Sequence, residues 1–271
     1  FTTLQLYNVA ANELGHITGG AQDNGTQLMN FSGNSFGGQP SKTAIDIYGG
    51  DGFDVEFSRF NPKTVFVSIY YGVVARSGNS GQSTSTFWDD RQPGTAQSDF
   101  NTTFCLWESG PKTSRLFLAK NSEVWMAKNP TDFAENVSWF LVSKGLGNDR
   151  IIEMDYTADG DHLFLCKSGR VTRIDSINAA DFSLAANPTV LDVPKPIVQT
   201  NITPSGLSGR TVTSVNVDQM NGDHVVITLG GYGNSSYVYE TFNALAPVPT
   251  WKNITGNLPS IPVYDALIDV D

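Results

Sequence analysis

The stretches "WFLVSKGLGNDRI", Trp139–Ile151, and "WKNITGNLPSIPV", Trp251–Val263, carry the same residue types at the same spacing. After the Trp comes an aliphatic residue at +3 (Val142, Ile254), a hydroxyl at +4 (Ser143, Thr255), Leu at +7 (Leu146, Leu258) and an aliphatic at +12 (Ile151, Val263). The offset between them is 251 − 139 = 112 residues. Trp88, with Phe100 at +12, is a looser third copy. Agreement at five positions of matching character marks an internal repeat, and a fixed period decides a fold before any local pattern does.

Working outward from these Trp residues, short apolar runs that open a unit begin at Leu4, Phe53, Thr102, Ile151, Val212 and Pro262, in steps of 49, 49, 49, 61 and 50 residues. A second apolar run follows each of the first five after a polar turn: "GHITGG", "KTVFVS", "SRLFLA", "DHLFLC" and "DHVVIT". Gly, Pro, Asn and Asp punctuate the turns. "GDH" precedes the second run at Gly160–His162 and again at Gly222–His224. A unit of about 50 residues with four short strands and no useful helical period predicts the blade of a β-propeller. A β-sandwich has strands at similar spacing but rarely repeats in register.

The expectation is an all-β chain of four-stranded antiparallel blades, one partial propeller over 1–271. The blades fall at about 1–50, 51–100, 101–150, 151–210 and 211–261, and 262–271 is the first strand of a further blade. A lone inner strand leaves a sheet edge unpaired. The chain therefore reads as part of a larger ring of six to eight blades or more, or as a ring whose last strand joins the first blade.

Composition agrees with strands and turns. Charged residues are 16% of the chain, against about 25% in ordinary domains, so Ser, Thr, Asn, Gln and Gly supply the polarity. A net charge of −10 disfavours duplex nucleic acid and anionic membranes as partners. No apolar run approaches the roughly 20 residues of a spanning helix. Cys105 and Cys166 fall inside strand-like runs and read as buried thiols, with a disulfide between neighbouring sheets as the alternative. Three histidines without Cys/His spacing argue against a zinc site.

"RSGNSGQS", Arg76–Ser83, resembles an Asp-box: Ser77-x-Asn79-x-Gly81-x-Ser83 fits Ser-x-Asp/Asn-x-Gly-x-Ser/Thr, with the usual following aromatic displaced to Phe87 and Trp88. "GGAQDNGTQ" (Gly19–Gln27), "GGDG" (Gly49–Gly52) and "WKNITGNLPSIPV" are similar to phrases of Asp-box (BNR-like) propellers of the sortilin-like and xyloglucanase-like superfamily, common in large secreted proteins of Bacteroidota-type bacteria. The resemblance implies an extracellular or cell-surface protein. It also implies that the Asp-box fixes the turn between third and fourth strands, on the face away from the usual binding site. "GGYGNSSY" near Asn234 reads as a degenerate relative.

"QDNG" follows a second strand, and "GGDG" leads into the next first strand, so both open on the opposite face. Asp23, Asn24, Asp51 and Asp54 are the ligand-binding candidates there, for sugar hydroxyls or for Ca²⁺ at Asp23 and Asp51. The plainer reading is an Asn-Gly turn with Asp23 and Asp51 capping nearby backbone. Tyr70, Tyr71, Trp88, Trp107 and Trp125 are candidates for stacking on sugars or for packing between blades. Hydrolysis of a glycoside needs two carboxyls at a suitable separation; Asp23 and Asp51 are the only pair to name, and a xyloglucanase-like enzyme would need a second domain. Tyr239-Glu240 is adjacent in a strand, so the two side chains point to opposite faces, which argues against a sialidase nucleophile pair. No Ser-His-Asp grouping, P-loop or dinucleotide fingerprint occurs. Seven sequons (Asn24, Asn30, Asn101, Asn136, Asn201, Asn234, Asn253) would accept glycans in a eukaryotic secretory route. The expectation is a non-catalytic binding or scaffold module for a glycan or a protein. The alternatives are a hydrolase of the kind above and a structural subunit of a bacterial surface, secretion or gliding complex. No cofactor beyond a structural Ca²⁺ is expected.

Overall fold

A computed structural model describes residues 4–31, 43–88, 98–183, 192–207 and 209–269. These form twenty strands in five four-stranded antiparallel sheets, and no helix is found among them. The first sheet holds β1 (Leu6–Ala11), β2 (His16–Ala21), β3 (Gly25–Asn30) and β4 (Ala44–Tyr48). The second holds β5 (Val55–Phe57), β6 (Val65–Ser68), β7 (Val74–Ser77) and β8 (Ser85–Trp88). The third holds β9 (Phe104–Gly110), β10 (Thr113–Lys120), β11 (Glu123–Lys128) and β12 (Ser138–Lys144). In the fourth are β13 (Ile151–Tyr156), β14 (Leu163–Lys167), β15 (Arg170–Asp175) and β16 (Val198–Asn201), and in the fifth β17 (Val212–Val217), β18 (Val225–Leu229), β19 (Val238–Thr241) and β20 (Lys252–Asn253). Each sheet pairs its strands in chain order, the meander of a propeller blade. The chain divides into two compact units, one holding the first two sheets and most of the third, the other the last two.

The sequence repeat is a repeat of backbone hydrogen bonds. The turn from first to second strand closes the same way in four sheets: Asn12 N–H to His16 O at 3.1 Å, and Ser58 to Thr64, Thr157 to His162 and Asp218 to His224 at 3.0 Å each. The second strands β6, β14 and β18 are covered on both faces and read as unbroken buried runs. Cys105 and Cys166 are buried thiols within β9 and β14.

Within each unit, sheets are joined by side chains at equivalent places. Asp54 accepts from Asn8 Nδ2 at 3.4 Å through Oδ1 and from Phe104 N–H at 3.0 Å through Oδ2, so it touches the sheets on both sides. Asp155 makes the link to the following sheet in the other unit, accepting from Val217 N–H at 2.7 Å. Arg76 and Arg173 lie on third strands opposite Phe66 and Phe164, and each donates to a carbonyl in the turn between third and fourth strands of the next sheet, Pro130 and Ala244 respectively. Trp88 packs on Trp139 at 4.2 Å and on Trp125 at 5.6 Å between ring centroids. An indole buries roughly 150–250 Å², which at about 25 cal/mol per Å² stabilises by about 4–6 kcal/mol before entropy is counted.

The two copies of the Trp motif differ in cover. Leu146 is 1% exposed and Leu258 is 49% exposed. Leu146 lies against the fourth sheet, where Lys167 Nζ donates to its carbonyl at 2.5 Å. Beyond Val263, which bonds through its backbone to Leu229 and Thr213, no strand forms among the described residues up to 269.

Candidate functional site

The β2–β3 turn and the link from β4 to β5 meet at one end of the first unit. Gly25 N–H donates to Gly50 O at 2.8 Å, and Gly52 N–H to Ala21 O at 3.0 Å. Glycine is required by this approach. A Cβ on Gly20 would stand 2.6 Å from Phe53 N, and one on Gly52 would stand 2.9 Å from Ala21 N, distances that real side chains do not occupy. Asp23 and Gly25 both hold positive φ, 60° and 64°, which Asp and Gly tolerate in tight turns.

The predicted residues gather here, with distinct tasks. The Asp51 carboxylate accepts the Asp23 N–H at 2.6 Å and ties the two loops. Asn24 Nδ2 donates to Gln22 O at 2.9 Å, while its carbonyl accepts from Gln27 Nε2 at 2.6 Å. Asp54, as above, spends both oxygens on neighbouring sheets. Among the described residues no group of three or more His, Cys, Asp or Glu is placed to hold a metal ion.

A patch of aromatics adjoins this loop pair. Gly50 faces Tyr70, whose ring stacks on Phe100 at 6.2 Å and 12°. Tyr71 meets Phe100 edge-on at 5.6 Å, and Phe53 links Phe100 to Tyr7. Tyr71 is 48% exposed and holds φ at 58°. A bulky side chain with positive φ is an outlier that its surroundings must enforce. Here the Tyr71 N–H is held by the carbonyl of Asp99 at 3.2 Å, and the next amide, Gly72, by Thr102 Oγ1 at 2.8 Å. Trp88, Trp107 and Trp125, by contrast, are buried; of the stacking candidates, only Tyr70 and Tyr71 reach the surface.

The other end of the sheets carries the structural motifs. Asn79 Oδ1 accepts from Ser77 Oγ at 2.8 Å and from Ser83 N–H at 2.9 Å, while Ser77 Oγ also accepts from Gly81 N–H at 2.9 Å. The same knot recurs at a place the sequence reading passed over. Asn243 Oδ1 accepts from Thr241 Oγ1 at 2.9 Å and from Thr250 N–H at 2.8 Å. Its spacing is three residues longer than in the Ser77–Ser83 knot, which hid it, although Thr250-Trp251 was the available signal. "GGYGNSSY" is tied differently: Asn234 Nδ2 donates to Tyr232 O at 3.2 Å and its N–H to the Tyr237 hydroxyl at 3.1 Å.

"GDH" is structural too. Asp161 Oδ1 accepts Asn178 N–H at 2.7 Å and Asp223 Oδ1 accepts Leu245 N–H at 3.0 Å, each tying two turns of one sheet. His162 Nδ1 lies 2.8 Å from Asp175, and His224 is bracketed by Asp218 at 2.9 Å and Glu240 at 3.1 Å. The hydrogen bond to Asp175 raises the His162 pKa against the opposing effect of burial. Burial opposes ionisation of Asp175, but its bonds to His162, Arg173 and Thr200 prevail and hold its pKa at about 2.

Fold and site define a class, a β-propeller built of four-stranded blades. Solved structures agree with the class. The chain is similar to an ancestral GH74 enzyme (TM-score 0.63, 13% identity, 97% of this chain and 34% of that one). It is similar to the GH74 enzyme of Niastella koreensis (TM-score 0.59, 14% identity, 92% of this chain and 38% of that one). It is also similar to the Cps50 (Swd1) β-propeller domain of Myceliophteria thermophila (TM-score 0.59, 8% identity, 92% of this chain and 73% of that one). At such identities the likeness is one of fold. The chain spans little more than a third of each GH74 enzyme. No protein-family model and no curated protein matches the sequence.

Proposed function

We propose that the chain is a non-catalytic binding or scaffold propeller of the Asp-box kind, working outside the cell or at its surface. Its partner, a glycan or a protein, is taken on the end formed by the Gln22–Gly25 turn, the Gly49–Gly52 link and the Tyr70–Tyr71 turn. The observation that carries this reading is Tyr71, held at φ 58° with its ring half exposed beside the Asp23–Asp51 loops. A strained aromatic kept at a surface is a costly arrangement without a contact to serve. Asp51 and Asp54 are committed to backbone and interblade bonds, which supports binding over acid–base work. A structural Ca²⁺ at the Asp23–Asp51 loops belongs to the same proposal, and so do further blades against the exposed Leu6, Val9 and Ile17 of the first sheet.

The test is an array of neutral and acidic glycans together with a cross-linking pull-down, run on the parent protein and on Tyr71→Ala and Asp23→Ala variants. Loss of a partner in both variants supports the reading. Polysaccharide hydrolysis abolished by Asp23→Ala would replace it with the hydrolase alternative.

A further inference from the structure

Away from the tyrosine patch, a groove of about 360 Å³ lies where the β7–β8 hairpin meets the segment Phe133–Val137 of the third sheet, wholly within the first unit. Its lining includes Arg76, Ser85, Thr86, Phe87, Phe133 and Asn136. The volume lies in the range of small-molecule sites and holds one or two sugar rings.

Arg76 is the unusual member. It is about nine-tenths buried, and its guanidinium lies 4.3 Å from the centre of the Phe133 ring and 5.5 Å from that of Phe87. Nη1 donates to Pro130 O. Nε is buried with no hydrogen-bond partner, and no ion pair involves Arg76 among the described residues. The charge of Asp132 acts on Arg76, but its oxygens are engaged by others: Oδ2 by Lys112 at 3.2 Å, and Oδ1 by Ala134 N–H at 3.0 Å. The guanidinium is a planar fork with no carboxylate in direct ion-pair contact among the described residues. A cation set in the wall of a groove, with no carboxylate in ion-pair contact, favours an anionic ligand.

Three features narrow the ligand. The fork asks for a carboxylate. The Phe133 ring, 45% exposed, offers an apolar wall to a C–H-rich body, and the Ser85 and Thr86 hydroxyls with the Asn136 amide suit hydroxyl groups. Glu135 on the rim and the chain's net charge of −10 weigh against multiply charged phosphate or sulfate. We propose that this groove binds a singly charged carboxylated sugar, a uronic acid residue, with its carboxylate on Arg76 and its ring against Phe133. The site is distinct from the tyrosine-bearing end and stands whether or not that end binds anything.

Calorimetric titration with methyl glucuronoside and, as control, methyl glucoside tests this on the intact chain. Binding of the glucuronoside is expected on the order of millimolar, with the glucoside about tenfold weaker. Arg76→Lys is expected to weaken the glucuronoside about tenfold, since a point charge replaces the fork. Because Arg76 also holds Pro130, Phe133→Ala is the second variant: about fivefold weaker binding with an unchanged melting midpoint. The proposal is overturned by equal affinity for the two sugars, by no heat up to about 50 mM ligand, by wild-type affinity in both variants, or by N-acetylglutamate binding in preference to the glucuronoside. Loss of the glucuronoside in Tyr71→Ala, with Arg76→Lys unaffected, would also overturn it by moving the ligand to the other end.

Discussion

Asp155 offers the sharpest test of how the sheets are joined. Its carboxylate accepts from Val217 N–H at 2.7 Å and from Tyr156 N–H at 2.8 Å, and burial nevertheless pushes its pKa up to about 6. A raised pKa means that the folded protein binds the proton more readily than the unfolded chain does. The contribution is therefore full below the ordinary value of 3.8 and is lost as pH rises through 6. A difference of about two units at 1.36 kcal/mol each gives a loss of about 3 kcal/mol between pH 4 and pH 7.5. Asp155→Asn cannot ionise. It keeps one acceptor, gives up the other at about 1 kcal/mol, and has no such loss. Urea unfolding of both proteins, followed by tryptophan fluorescence at pH 4, 6 and 7.5, isolates the effect, because every other carboxylate titrates in both. The variant should be the weaker protein at pH 4 and the equal or stronger one at pH 7.5. Parallel pH profiles, or a variant that loses ground as pH rises, would refute the account of Asp155.

Gly20→Ala, which forces a Cβ against the Phe53 backbone, should cost about 3 kcal/mol or more, whereas Gly49→Ala, with open space around it, should stay within about 0.5 kcal/mol; thermal melts compare the two. Asp175→Ala strips the buried Arg173 of its carboxylate and should cost about 3–5 kcal/mol at pH 7. In the parent protein the part that follows from a pKa depressed to about 2, about 2.5 kcal/mol, is present above the ordinary 3.8 and is lost as pH falls through 2, a window that acid unfolding reads. Asn79→Ala and Asn243→Ala should each lower stability by about 1–3 kcal/mol, and similar losses would establish that the two hydroxyl–amide knots are equivalent.

Sequence by itself determined the blades. The Trp motif, the paired apolar runs and the steps near 50 residues are local and periodic, and each strand's cover follows from the next copy of the same pattern. The turn chemistry was equally legible: the glycines of "GGAQDNGTQ" and the Ser77–Ser83 knot act as their residue types require. What lay beyond the sequence depended on partners distant along the chain. Asp54 reads as a ligand candidate until Asn8 and Phe104 are seen to claim its oxygens. The Asn243 knot escaped because three inserted residues broke its spacing without breaking its hydrogen bonds. Leu146 and Leu258 hold the same place in one motif, yet only the first has a sheet against it. Arg76 looks like any strand arginine, and only the approach of Pro130, Phe87 and Phe133 makes it a buried fork beside a groove. Periodicity encodes strands and turns because those are set by neighbours in the chain. Burial and hydrogen-bond ownership are set by neighbours in space, and only the tertiary structure assigns those.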